Sequence, residues 1–170
     1  SMRICEKAGI SVFELWRKEQ RLIPILQFSP SYAPAEDSPV EHRGASAATS
    51  SPAGFLSAAR ALQDRHHNRK IAVALARDAF GNQEILCARA HPATGYTMKS
   101  DLAEIEHPDG KYSFMLEPLN RLMMHAARKG LQIIEGYVYT SQVPTAREQV
   151  NMAGAGLKII HIGNITRSRD

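Results

Sequence analysis

The chain has 170 residues, of which 44% are hydrophobic, so it is long enough to bury one sizeable core and too short for two large domains. Lys and Arg exceed Asp and Glu by 21 to 17, and no block of like charge occurs, which favours an anionic ligand only weakly. The two cysteines lack a C-x-x-C spacing, and no apolar run reaches the roughly 20 residues that span a bilayer. We therefore expect a reduced, cytoplasmic protein with neither a structural zinc site nor a membrane segment.

The first 54 residues predict two segments ahead of the core. Apolar residues at helical spacing predict a helix that begins near Ser11, and the run 21–28, with Pro24 inside it, predicts an edge strand or an extended segment. Together they form a first segment over residues 1–28. Residues 29–54 are rich in proline, alanine and serine, and such a stretch buries too little apolar area to offset its ordering entropy. That composition predicts a flexible loop.

Residues 55–170 predict one α/β core. In chain order we expect a helix capped by Ser50 or Ser51, a β-hairpin over 70–91, a third strand over 95–107, a helix over 116–129, a strand over 131–140, a short helix over 141–156 and a last strand over 157–165. Pro118 is compatible only with a first helical turn, and Gly130 stands where a left-handed C-terminal cap belongs. This order predicts an α/β domain with a mixed sheet flanked by helices.

With that order, residues 55–162 resemble the GNAT superfamily, the acyl-CoA-dependent N-acyltransferases. The segment LNRLMMHAARKGLQIIEGYVYTSQVP is similar to the family's helix, its A-x-x-x-G turn and the strand that ends in an Asn-containing loop. GAGLKIIHI is similar to its glycine step and final strand, and IAVALARDAFGNQEILCARAH occupies the place of its hairpin. The resemblance implies a GNAT-like fold, acyl-CoA as co-substrate and acyl transfer to an amine.

The family binds the pyrophosphate of acyl-CoA with a Q/R-x-x-G-x-G/A loop at a helix N-terminus, where small residues let backbone amides reach the phosphates. The matching stretch here, DGKYSFML, has one glycine and bulky residues where the family has small ones. The resemblance thus implies a degenerate loop. Its implied cofactor contacts are Gly110, Lys111, Tyr112, Ser113, Phe114 and, where the family often has an asparagine, Gln142.

The resemblance also implies a proton acceptor near the middle strands and an acid for the leaving thiolate. Glu104 and Glu106 lie in the right region and, two apart on a strand, share one face, which is also the pattern of a solvent-facing edge. Tyr139, or Tyr137, on the strand over 131–140 could replace the tyrosine that the last helix lacks, although strand tyrosines commonly pack. An amine would attack the thioester directly.

Other chemistries have less support. The seven histidines show no H-x-x-x-H or H-E-x-x-H spacing, so we predict no metal site, and Cys87 within an apolar strand predicts a core residue. The basic stretches RHHNRK and ITRSRD lack interleaved aromatics, which makes nucleic-acid binding a weak third hypothesis. Two hypotheses lead: an acyl-CoA-dependent N-acyltransferase, and a non-catalytic GNAT-like binding or regulatory module that has lost the pyrophosphate loop. Expected partners are acyl-CoA with an amine substrate or a protein, and a second copy of the chain could form a homo-oligomer.

Overall fold

The computed structural model describes residues 2, 5–6, 9–29, 39–67, 69–92 and 115–163. The chain forms two compact units, Ser1–Ser38 with Pro92–Met115, and Pro39–His91 with Leu116–Asp170. This division differs from the three consecutive segments expected from the sequence, because the chain leaves the second unit and returns to it.

The described part of the first unit is a β-hairpin. Strand β1 (Val12–Trp16) pairs antiparallel with β2 (Arg21–Leu26), and Leu15 lies opposite Leu22. The prediction of a helix that begins near Ser11 is therefore wrong. The apolar residues of this segment also fit the period of two that is typical of a strand. The aromatic and β-branched residues of β1 favour a strand as well. The predicted edge strand is confirmed, and Pro24 is tolerated because, among the described residues, β2 pairs only with β1 and its outer edge carries no further strand.

The second unit contains the main sheet and the helices. Its elements and the short flanking strands are, in chain order, β3 (Glu41–Gly44), α1 (Pro52–Arg65), β4 (Ile71–Arg77), β5 (Gln83–Arg89), β6 (His91–Pro92), β7 (Met115–Leu116), α2 (Pro118–Lys129), β8 (Gln132–Thr140), α3 (Ala146–Gly154) and β9 (His161–Ile162). Strands β6 and β7 form a separate two-stranded sheet. Within the described ranges, no helix combines the length and the apolar content needed to cross a bilayer.

The main sheet has the order β3-β5-β4-β8-β9 among the described residues. Its first three neighbouring pairs are antiparallel, and β8 and β9 are parallel, so the predicted mixed α/β class is confirmed. Strand β3 contradicts the prediction of a loop throughout residues 29–54. It forms because the outer edge of β5 offers unpaired backbone groups, and because the neighbouring Val40, only 4% exposed, buries its side chain in the core.

Strand β4 is buried on both faces and defines the three layers of the unit. Its odd-numbered residues from Ile71 to Leu75 lie in the core cluster under α1, and its even-numbered alanines from Ala72 to Ala76 lie in the cluster under α2. The alanines provide a flat floor on which Leu119 and other α2 side chains pack closely. Helix α3 contacts α2, so α2 and α3 share one face and α1 covers the other.

The ends of the helices follow the sequence signals. Ser51 is the N-cap of α1, and its hydroxyl accepts a hydrogen bond from Gly54 N at 3.1 Å, as predicted. Helix α2 begins at Pro118 in its first turn and ends at Gly130, whose φ of 66° is left-handed, also as predicted. Thr145 caps α3 with a reciprocal bond to Glu148, which is a capping box.

Candidate functional site

The N-termini of α2 and α3 meet beside the carboxyl end of β8, and we call this place the helix junction. Leu119 N of α2 lies 3.0 Å from Glu148 Oε1 of α3. Strand β8 has an antiparallel neighbour on one side and a parallel neighbour on the other. In open α/β sheets, ligands commonly bind outside the carboxyl ends of strands, where the direction of the connections changes. The junction is therefore the first place in which to look for a site.

A carboxylate of the protein itself fills the helix junction. Glu148 is 3% exposed, and its Oε1 accepts from Leu119 N at 3.0 Å. Its Oε2 accepts from Thr145 N at 2.8 Å and from Thr145 Oγ1 at 3.1 Å, while Glu148 N donates to Thr145 Oγ1 at 3.3 Å. One carboxylate of the protein thus binds an amide in the first turn of α2 and the amide of the N-cap residue of α3, at the positive ends of two helix dipoles.

The first turn of α2 carries polar side chains that are buried and hydrogen-bonded. Asn120, 5% exposed, accepts a hydrogen bond from Asn151 Nδ2 of α3 at 2.9 Å. Arg121, 7% exposed, donates from Nη1 to the carbonyl of Arg89 at 2.9 Å. Both contacts fix α2 against its neighbours, so these groups hold the junction together rather than face a substrate.

The space left at the junction is small. A cavity of about 10 Å³ lies between Glu117, Thr140, Gln142 and Glu148, which is room for one water molecule at most. Thr140 Oγ1 is buried without a hydrogen-bond partner among the described residues, and such a water would satisfy it. At its rim, Lys70 Nζ lies 3.5 Å from Glu117 Oε2. No substrate fits there without rearrangement.

Of the predicted site residues, only Tyr139 and Gln142 lie in the part of the chain that the structure describes. The proposed base residues Glu104 and Glu106 and the proposed loop contacts 110–114 lie outside the described residues. Tyr139 is 2% exposed in the cluster under α1, where its hydroxyl donates to Gln63 Oε1, and burial raises its pKa. Gln142 is exposed at the rim of the junction cavity. Tyr139 therefore has the contacts of a packing residue.

The resemblance implies a cofactor gap between β8 and the predicted third strand over 95–107. In the structure β4 is the neighbour of β8 on that side, with Ala72 opposite Thr140 and Arg77 opposite Gln132. On the other side β9 pairs with β8 through Tyr139 opposite His161. Both flanks of β8 are therefore occupied at its carboxyl end, which is where the resemblance implies the pantetheine of acyl-CoA.

A second cavity lies at the other end of β8, and we call it the distal cleft. It measures about 660 Å³ and is bounded by the second half of α2, the start of β8 and the loop that follows α3. Strand β8 bulges beside it: Ala74 of β4 lies opposite Val138 and Ala76 opposite Ile133, so a step of two residues along β4 corresponds to a step of five along β8. Gly136 supplies the left-handed φ of 83° within this bulge.

The distal cleft combines apolar walls with two charges. Met123, Leu131 and Leu157 contribute apolar surface, while the exposed Arg77 and Glu135 carry opposite charges at its margin. Arg77 Nε donates to Gln132 Oε1 at 2.9 Å, and Glu135 Oε1 accepts from Lys158 N at 2.9 Å. A cavity of this volume and composition is typical of small-ligand sites.

A third feature, which the sequence did not reveal, joins two histidines and a glutamate. His42 Nε2 lies 2.7 Å from His125 Nε2, and His42 Nδ1 lies 2.6 Å from Glu84 Oε2. The histidines are 83 positions apart, so no local spacing signals their contact. Within the described residues, no three or more His, Cys, Asp or Glu side chains are arranged so that all of them could bind one metal ion.

Cys87 has no role in nucleophilic chemistry. It is 2% exposed, and burial raises the pKa of its thiol from the ordinary value of 9.0 to about 12. Because the thiolate is the reactive form, this thiol is inert at neutral pH. The prediction of a core residue is confirmed.

No protein-family model, no curated protein and no solved structure matches the chain. What the fold defines is therefore a coarse class, a mixed α/β protein with a five-stranded sheet between helices in its described part. What the site defines is a closed helix junction with an open cleft at the far end of the same strand.

Proposed function

We propose that this chain is a non-catalytic binding module that takes an apolar ligand group in the distal cleft. The observation that carries the proposal is Glu148. Its carboxylate, fully engaged with both helix N-termini, stands where a mixed α/β protein would otherwise receive an anionic ligand or a catalytic group. The donors that Glu148 occupies are not available to a substrate.

The sequence at the junction supports this proposal. Zinc-dependent base deaminases hold their metal and their general acid/base with an H-x-E segment and a P-C-x-x-C segment. The two segments that meet here are Glu117-Pro118-Leu119 and Pro144-Thr145-Ala146-Arg147-Glu148. The proline of the second signature is present, but Glu117, Thr145 and Glu148 occupy the three ligand positions and Leu119 occupies the acid/base position. These residue types supply neither a His/Cys₂ ligand set nor a proton carrier at Leu119.

The distal cleft favours a ligand with an apolar body and a polar end. Its walls offer Met123 and Leu131, and methionine adapts to ligands of varied shape. Ala127 and Gly156 leave its margin open. A ligand whose apolar part fills the cleft would place its polar end near Arg77 or Glu135, according to its charge.

The test is ligand-observed NMR on the full chain with hexanoate, hexylamine and indole as probes. Trp in place of Ala127, an exposed helical residue that lines the cleft, should fill the space and weaken binding at least 10-fold by the loss of buried apolar contact. Ala153→Trp is the matched control, because Ala153 is also an exposed helical alanine but does not line the cleft. The control should bind like the unmodified chain.

Two results would overturn the proposal. One is the lack of binding by any probe at millimolar concentration. The other is equal binding by the Ala127→Trp and Ala153→Trp variants, which would place the ligand elsewhere.

Acyl transfer remains a prediction from the resemblance, and the filled flanks of β8 argue against it. Thermal melting with acetyl-CoA and with free CoA separates the two hypotheses. A ligand at 100 times its dissociation constant adds about 2.7 kcal/mol to the free energy of unfolding, which is readily detected. We expect no rise in melting temperature, and a rise with acetyl-CoA would favour the transferase.

A further inference from the structure

We propose that His42 and His125 form a binding site for a borderline divalent transition-metal ion, with Glu84 as the residue that orients His42. The three side chains come from different elements of the second unit: His42 from β3, Glu84 from β5 and His125 from α2. His42 lies opposite Leu86 in the β3–β5 register, and Glu84 is two residues from Leu86, so both side chains project on the face that α2 covers.

The hydrogen bonds determine which nitrogen of His42 is available. A carboxylate only accepts hydrogen bonds, so the 2.6 Å contact with Glu84 Oε2 places a proton on His42 Nδ1. In the neutral ring, His42 Nε2 then carries a lone pair, and this atom faces His125 Nε2 at 2.7 Å. A carboxylate that holds one histidine nitrogen while the other nitrogen binds a metal is a recurring arrangement at metal centres.

The distance between the two nitrogens is close to what a shared metal ion requires. Two ligands at 2.0–2.1 Å from a tetrahedral zinc ion are about 3.3 Å apart, so the rings must separate by about 0.6 Å. The His42 side chain is 37% exposed, and the two rings meet edge to face with centroids 4.8 Å apart, which leaves room for this rotation. Water can complete the coordination from the solvent side.

Ion binding also displaces a proton. The 2.7 Å contact between the two Nε2 atoms holds one proton, whose donor depends on the tautomers of the two rings. With the ion bound, both Nε2 atoms coordinate, so this proton leaves the contact and the metal ion takes its place. Imidazole ligands favour Zn²⁺, Cu²⁺ and Ni²⁺ over Mg²⁺ and Ca²⁺, which take oxygen ligands.

The test is a titration of the full chain, free of any histidine tag, with Zn²⁺ in competition with a chromogenic zinc indicator. We expect one Zn²⁺ per chain, an affinity at least 10-fold lower in His42→Ala and in His125→Ala, and no response to Mg²⁺. Glu84→Ala should weaken binding about 10-fold to 100-fold, as found when residues that orient metal ligands are removed. His67→Ala, which removes an exposed histidine at the end of α1, is the matched control and should bind normally.

Circular dichroism of each variant confirms that it is folded, which is expected because the three side chains lie at the margin of α2 and the sheet. Zinc binding that survives both histidine substitutions would overturn the proposal. Normal affinity in Glu84→Ala would remove the orienting role of that residue. A folded chain that binds no Zn²⁺ would reduce the cluster to a hydrogen-bonded histidine pair.

Discussion

At the scale of single residues, Glu148 has two structural tasks. One carboxylate oxygen closes the capping box of α3, and the other accepts from the first turn of α2. The first task could be read from the sequence, since T-x-x-E at Thr145 to Glu148 is a capping-box signature. The second could not, because Leu119 is 29 positions away and only the fold brings it close.

Replacing Glu148 with alanine should lower the free energy of unfolding by about 2–4 kcal/mol, since it removes a cap and leaves the buried Leu119 amide unpaired. Urea denaturation measures the loss. Glu135→Ala is the control: Glu135 also accepts a backbone hydrogen bond but is exposed, so its loss should stay below about 1 kcal/mol. Similar losses in both variants would contradict a special role for Glu148.

Cys87 gives the stability a defined dependence on pH. Its folded pKa of about 12 lies above the ordinary value of 9.0, so between these values the folded state holds a proton that the unfolded state has lost. The stabilisation is complete below pH 9.0 and is lost as pH rises towards 12. From pH 8.5 to 10.5, the unfolding free energy should fall by about 2 kcal/mol more in the natural chain than in Cys87→Ala. Parallel urea titrations of the two chains test this, and identical pH slopes would refute it.

At the scale of elements, the end of α2 shows how a single conformation terminates a helix. Gly130 has a left-handed φ, and its amide and that of Leu131 bond to the carbonyls of Ala127 and Ala126. Nothing lies within 4 Å of a methyl group added there, so any cost of a side chain comes from the backbone alone. The sequence was sufficient to predict this cap.

Gly130→Ala should therefore destabilise the chain by about 1 kcal/mol, through the left-handed conformation that alanine disfavours. Gly154→Ala is the control, and it should change the stability in the opposite direction. Gly154 ends α3 without a positive φ and with open space around it, so alanine should stabilise by about 0.4–1 kcal/mol. Equal effects of the two substitutions, measured by thermal melting, would show that conformation is not the deciding factor.

The pairing of α2 and α3 at their N-termini permits an engineered test of the junction geometry. In a His42→Ala background, the combined changes Glu117→His, Thr145→Cys and Glu148→Cys supply a histidine and a C-x-x-C pair at the helix junction, where Glu117 and Glu148 line one cavity. This variant should bind one Zn²⁺ per chain. Its affinity should be at least about 10-fold higher than that of the variant with the two cysteine changes alone, because the histidine supplies a third ligand. Indicator competition measures both affinities, and equal values would show that residue 117 cannot reach the ion.

At the scale of the whole molecule, local sequence patterns predicted most helices and strands but not which strands pair with one another. Helical periodicity and caps predicted α1 and α2, and alternation with a turn predicted the β4–β5 hairpin. The strand at Val12–Trp16 was missed because its apolar residues fit both periods over five residues. The strand at Glu41–Gly44 was missed because few of its residues favour a strand, and the edge of β5 determines its conformation.

The candidate sites were the least predictable part. Glu148 with Leu119, and His42 with His125, are contacts across the fold for which the chain carries no local signal. The neighbour of β8 was expected to be the strand over 95–107, yet β4 takes that position through a pairing between distant residues. Strand order depends on long-range pairing, so periodicity could not decide whether a cofactor gap exists.

The most direct test of the central claim is one two-dimensional ¹H–¹⁵N NMR experiment on the full chain, titrated with the three small probes and with acetyl-CoA. If the helix junction is closed and the distal cleft binds ligand, the small probes will shift the amide signals of residues 123–135 and 155–157. The amides of Leu119, Thr145 and Glu148 will stay in place with every ligand. Movement of those three signals on addition of acetyl-CoA would show that the junction opens to a substrate, and would contradict the account.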